Sequence, residues 1–179
     1  MRPLSKEEIH RTLALGKTLP ESEGTAILDE LEGDQPDIYQ AIFGELSSAI
    51  EEDNKDMANL FLDLCFDIIW VYRKSFGKPP VTSKGDDWVP NTLTLLDAEL
   101  KALLDDTPMH GKFKSHLQKR FIRRCAETGI QTELLEILTE EVMKYAAFKK
   151  RRRRAISSTY CFLFVILRLM DELYSRKEQ

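Results

Sequence analysis

Asp63 and Asp67 stand four residues apart in a stretch that is otherwise almost wholly apolar, from Leu60 through Phe61, Leu62, Leu64, Phe66, Ile68, Ile69 and Trp70 to Val71. That spacing puts both carboxylates on one side of a helix. A carboxylate carried into the interior without a partner costs several kcal/mol, so the pair either forms a thin seam facing solvent or is matched by a cation. Arg168 interrupts a second apolar run, Tyr160 to Leu167, and has the same need. An ion pair of Arg168 with Asp63 or Asp67 is therefore expected, and a metal or a cationic ligand could take the place of Arg168.

The strongest charge signal lies later in the chain. On a helix over residues 110–128, Phe113, Leu117, Phe121 and Cys125 fall on one side, while Lys112, Lys119, Arg120, Arg123 and Arg124 fall around the other. Like charges four apart repel by roughly 0.2 to 0.5 kcal/mol per pair, so this face calls for anions. A second element is the unbroken run Lys149, Lys150, Arg151, Arg152, Arg153 and Arg154. It stands at the end of a predicted helix that begins with Glu133, Glu136, Glu140 and Glu141. Cations complement a helix C-terminus, but that effect accounts for one or two charges, not six. Together the two elements point to a basic surface for nucleic acid or another anionic macromolecule. Solvated tracts can look the same.

Catalytic signatures are few. The sequence has no Gly-rich phosphate loop, no G-x-S-x-G elbow, no H-E-x-x-H and no Cys/His cluster. Glu7 and His10 form a single E-x-x-H, whereas helical di-metal sites need a second copy. Asp86-Asp87 and Asp105-Asp106 each lack the third acid of a magnesium-diphosphate motif. No catalytic residue, metal or cofactor is expected. The leading expectation is a non-enzymatic binding protein with a basic C-terminal half that contacts nucleic acid. The alternative is a protein–protein adaptor or regulator, including a homo-oligomer held by its acidic and basic halves. A helical enzyme using carboxylates is third.

The net charge of −4 hides a strong asymmetry. Residues 1–111 carry 10 Lys and Arg against 22 Asp and Glu, and residues 112–179 carry 16 against 8. The halves attract, so the basic face is either neutralised within the fold or left for a partner. The start of the chain, with Arg2, Lys6, Glu7 and Glu8, lacks the apolar core of a secretory signal. The longest apolar run is far short of the roughly 20 residues of a membrane span. A cytoplasmic protein is expected, with a nuclear one as the alternative in a eukaryote. Cys65, Cys125 and Cys161 are too widely spaced for a zinc site and read as reduced, mostly buried thiols.

The elements that position these residues are helices. Ser5 with Glu8 makes a capping box for a first helix over 5–15. A second begins near Ser22 and ends at Gly33 as its C-cap. Asp34 caps a third that has Pro36 in its first turn and ends at Glu51, Glu52 and Asp53. A fourth, over 54–76, is apolar almost all round and therefore central; Gly77 and Pro79-Pro80 stop it. The connection 77–90, about 14 residues long, is the candidate subdomain boundary, with Trp88 tucked into the core. Further helices are expected over 91–105, 110–128 and 131–153, and a last one over 156–173 behind Ser157 and Ser158 as N-caps. No stretch alternates with period two, so the class is all-α: a single domain over 1–179, a compact bundle of seven or eight helices with 54–76 and 156–173 at its centre.

Overall fold

The computed structural model describes residues 1–81, 87–103, 131–146 and 153–176. Among these the chain is all-α and compact, with no strand. The elements are α1 (Lys6–Gly16), α2 (Glu21–Asp34), α3 (Pro36–Gln40), a π-helical segment (Ala41–Leu46), α4 (Ser47–Glu51), α5 (Lys55–Phe76), α6 (Trp88–Leu103), α7 (Thr132–Ala146) and α8 (Arg153–Arg176). The stretch from α3 through the π segment to α4 runs without a break. The described residues thus form seven packed helices.

Local chemistry sets the boundaries in several places. Ser5 caps α1: its hydroxyl accepts from the Glu8 N–H, and the Glu8 carboxylate accepts from the Ser5 N–H at 2.9 Å. Asn54 caps α5 by accepting from the Met57 N–H at 3.0 Å. Gly77 ends α5 at φ 83°, a conformation that side chains with a Cβ rarely adopt. Three expected caps are not used. Gly33 lies inside α2, which continues to Asp34, and the chain turns instead at Gln35. Asp34 is therefore the last residue of α2 rather than the cap of the next helix. Ser157 and Ser158 lie within α8, where the Thr159 hydroxyl donates to the Ala155 carbonyl at 2.8 Å in the manner of a helix interior.

α5 and α8 pack against each other at the centre, as their apolar sequences require. Phe61, Cys65, Ile68, Val71 and Tyr72 of α5 and Leu163, Ile166, Leu167 and Leu173 of α8 are completely buried. Each large side chain so buried contributes about 1.5 to 3 kcal/mol. Phe61 meets Phe162 edge to face at 6.3 Å, and Tyr72, Phe76 and Tyr174 form a ring cluster with centroids 5.5 to 6.0 Å apart. α1, α4 and α7 pack on α5, and α6 and α7 on α8. Trp88 is buried at the start of α6, with the Arg176 guanidinium 4.6 Å over its ring. Cys65 is a buried free thiol. Cys161 is also free but only half-buried, more open than expected, and Cys125 lies outside the described residues.

The charges that act on Asp67 are those of Lys17, Asp63 and Glu141, while Arg168 acts elsewhere. Arg168 is 6% exposed and Asp171, on the same side of α8, is 3% exposed. Their charges act on each other and on Tyr72, whose hydroxyl donates to Asp171 Oδ1 at 2.6 Å. The reason is rotation. From Asp67 to Tyr72 is five residues, about 140° around α5, so the helix side facing α8 carries Tyr72 and turns the two aspartates away. The second oxygen, Asp171 Oδ2, is buried without a hydrogen-bond partner. Burial pushes this carboxyl up to about 7, against the pull of the Tyr72 hydroxyl, Arg168, the Gln131 N–H and the amino terminus. Nearby, the Gln131 side chain holds the first residues of the chain: it accepts from the Leu4 N–H at 2.8 Å and donates to the Arg2 carbonyl at 3.0 Å.

Two predictions follow from this packing. The first concerns Gly16, which closes α1 against Trp70, whose indole N–H donates to the Thr12 carbonyl at 2.8 Å. A Cβ at Gly16 would stand 2.8 Å from Trp70 Cδ1. Gly16→Ala is expected to lower stability by about 1 to 3 kcal/mol, measured by urea unfolding, whereas Gly33→Ala, with open space around it, should not. The second concerns Asp171. Its carboxyl titrates at 3.8 when unperturbed and at about 7 here, so the folded chain holds the proton more tightly. The stability this provides is full below pH 3.8 and is lost as pH rises through about 7. Asp171→Asn should remove about 2 to 4 kcal/mol of that decline, read as the difference between variant and parent unfolding curves at low and high pH.

Candidate functional site

A groove of about 450 Å³ opens between α1, α5 and α7. On α1 its lining residues are His10, Leu13, Ala14 and Lys17, and on α5 they are Leu60, Asp63, Leu64 and Asp67. Both sets follow the spacing i, i+3, i+4, i+7, the pattern of a single helix face. Ile137 and Glu141 of α7 close the third side. The lengthwise reach along α5, from Leu60 to Asp67, is about 10 Å at 1.5 Å per residue. The floor is apolar, with Leu64 and Ile137 buried, and the rim is charged, with Asp63, Glu141, His10 and Lys17 exposed.

Asp67 is the half-buried member of this rim. Removal from water pushes its carboxyl up to about 6; Lys17 opposes the rise, while the negative charges of Asp63 and Glu141 add to it. Glu141 is also engaged by Lys144 at 2.6 Å. The arrangement can exchange a proton close to neutrality or hold a cation at the expense of that proton. Among the described residues no group of three or more His, Cys, Asp or Glu side chains is arranged to hold a metal ion. The pairing of Asp63 with Asp67 was readable from their spacing. The contributions of α1 and α7 were not, because nothing in the sequence links residues 10–17, 60–67 and 137–141.

Of the expected basic surface, the structure describes Arg153 and Arg154. Both are exposed. Arg154 Nε lies 3.2 Å from Asp53 Oδ2, yet the Arg154 side chain remains 86% exposed. Lys112, Lys119, Arg120, Arg123 and Arg124, and Lys149, Lys150, Arg151 and Arg152, lie outside the described residues. Acids of the first half are met in several places by other cations: Glu30 by Arg73 at 2.5 Å and Lys78 at 2.6 Å, Glu8 by Arg2 and Glu7 by Arg11. Among the described residues no helix is long and apolar enough to cross a membrane.

The raised titration of Asp67 gives a prediction with a definite sign. Its stabilising effect as the neutral acid is complete below pH 3.8 and is lost as pH rises through about 6. Asp67→Asn should therefore be more stable than the parent above that range, by about 1 to 2 kcal/mol once partial exposure is allowed for, and no more stable in acid. Urea midpoints of the two proteins on either side of the transition decide it.

No protein family, curated protein or solved structure matches this chain, so the meaning of the groove and of the basic run rests on their own chemistry.

Proposed function

We propose that this protein is a non-enzymatic binding protein that contacts an anionic macromolecule, nucleic acid first among them, through the basic residues of its C-terminal half. The observation that supports this reading is the state of Arg154. Its ion pair with Asp53 leaves the guanidinium side chain 86% exposed. An exposed ion pair of this kind contributes about 0 to 1 kcal/mol and is screened by salt, so a phosphate can displace or share it. Arg153 beside it is exposed as well. In sequence these two complete the run that begins at Lys149, and the charge density of six adjacent cations is what a phosphate backbone attracts. Such contacts position a nucleic acid without reading its bases.

The experiment is a salt titration of binding to DNA and to RNA with the full chain. With about six phosphate contacts the log–log slope is expected near −5. Arg153→Ala combined with Arg154→Ala should weaken binding about equally across sequences and make the slope shallower by about 2. No detectable binding at low salt overturns the proposal and leaves the adaptor reading, which expects a salt-tolerant protein complex instead.

A further inference from the structure

The basic run leaves the groove between α1, α5 and α7 without a role. Its form limits what it can take. Two helix faces of the same i, i+3, i+4, i+7 spacing lie side by side, so the depression is a trough about two helical turns long rather than a closed chamber. The trough is open to solvent along its charged rim. Its floor, Leu60, Leu64 and Ile137, offers apolar surface of the kind that the methylene stem of a lysine or arginine covers while its charged head stays at the edge. At that edge stand Asp63 and Asp67, with Glu141 on α7 already engaged by Lys144, and Lys17 offsets only part of the charge of the two aspartates. Tyr145, 37% exposed, follows Glu141 by one turn of α7 and extends the surface beyond the trough.

We infer that this groove docks a short basic segment of a protein partner, with one arginine or lysine laid along Leu60, Leu64 and Ile137 and its cationic head held by Asp63 and Asp67. Charge complementarity selects a cation, and the length and openness of the trough favour a segment of chain over a small enclosed molecule. The anchor is of the type that dominates many interfaces, a long basic side chain in a partly apolar pocket. Docking couples to protons. The ionised form of Asp67 is the one that holds the cation, so binding releases the proton that burial and the neighbouring Asp63 and Glu141 help Asp67 to keep. His10 and Lys17 of α1 are the other titratable groups that line the trough. The inference is independent of nucleic-acid binding, since none of the groove residues belongs to the basic run.

The test uses the full chain and labelled synthetic peptides of about twelve residues, with leucines four apart and arginines between them, read by fluorescence anisotropy and calorimetry. The arginine peptide should bind saturably at one site, and its counterpart with glutamate in place of arginine should not. Asp63→Asn with Asp67→Asn should weaken binding at least about tenfold, a loss of about 1.4 kcal/mol. Affinity of the parent should rise as pH passes upward through about 6, and Asp67→Asn alone should remove most of that rise. A purely structural role for Asp67 would not move the pH profile. Arg153→Ala with Arg154→Ala should bind the peptide as the parent does, which separates this outcome from the fate of the nucleic-acid proposal. No binding of the arginine peptide, binding unaffected by the aspartate substitutions, or equally tight binding of free arginine amide or spermidine overturns the inference; the last result would assign the groove to small amines.

Discussion

The packing of α5 against α8 is the constraint from which the rest of the structure follows. Both helices are so apolar that neither can lie at the surface, and burying each against the other leaves their few polar groups inside with nowhere to be hydrated. Tyr72 and Asp171 answer that problem across the interface with one hydrogen bond, and the charge of Arg168 acts on both. The answer is incomplete, since one oxygen of Asp171 lacks a partner and the group keeps its proton to an unusually high pH. A polar network of this kind stabilises less than apolar packing would, yet it ties the relative position of the two helices to one geometry.

With α8 packed on one side of α5, α1 and α7 pack on another, and between them lies the trough in which Asp63 and Asp67 stand. The same central helix thus presents a hydrogen-bonded, dry polar contact to one neighbour and a wet, acidic one to the others. The acidic groups of the trough rim belong to α5 and α7, and Arg153 and Arg154 stand exposed at the start of α8.

Much of this was legible in the sequence, and the failures have physical causes. Ser5 with Glu8 and the stop at Gly77 were readable because a cap or a helix end is decided within a few residues. The central place of 54–76 and of the last helix was readable from their all-round apolar character. Gly33, Asp34, Ser157 and Ser158 misled because residues that favour helix ends are also tolerated within or at the last position of a helix when packing continues it. Arg168 is buried, as its place in an apolar run requires, and its charge acts on Asp171 and Tyr72. Asp171, three residues along the same helix, was a nearer signal than Asp63 or Asp67, which the angle between Asp67 and Tyr72 on α5 turns toward other neighbours. The groove was invisible because it joins three segments whose proximity only the tertiary fold creates.

The π-helical segment Ala41–Leu46 is best understood as a matter of counting. A π turn closes with i to i+5 bonds and so takes up about one residue more than an α turn. In an uninterrupted α-helix, Ile42 and Ile50 would point about 80° apart, eight residues being two turns and a fraction. With one residue absorbed by the π turn the two directions nearly coincide, and both side chains are completely buried. Gln40 lies across Gly44 at the widened turn, and the Ser47 hydroxyl donates to the Phe43 carbonyl at 3.0 Å where the α pattern resumes. The helix therefore carries a surplus residue as a phase correction. Chain length and core register are separately adjustable there: a lineage that gained or lost a single residue in this stretch could do so by exchanging a π turn for an α turn, and the hydrophobic faces on either side would stay in step.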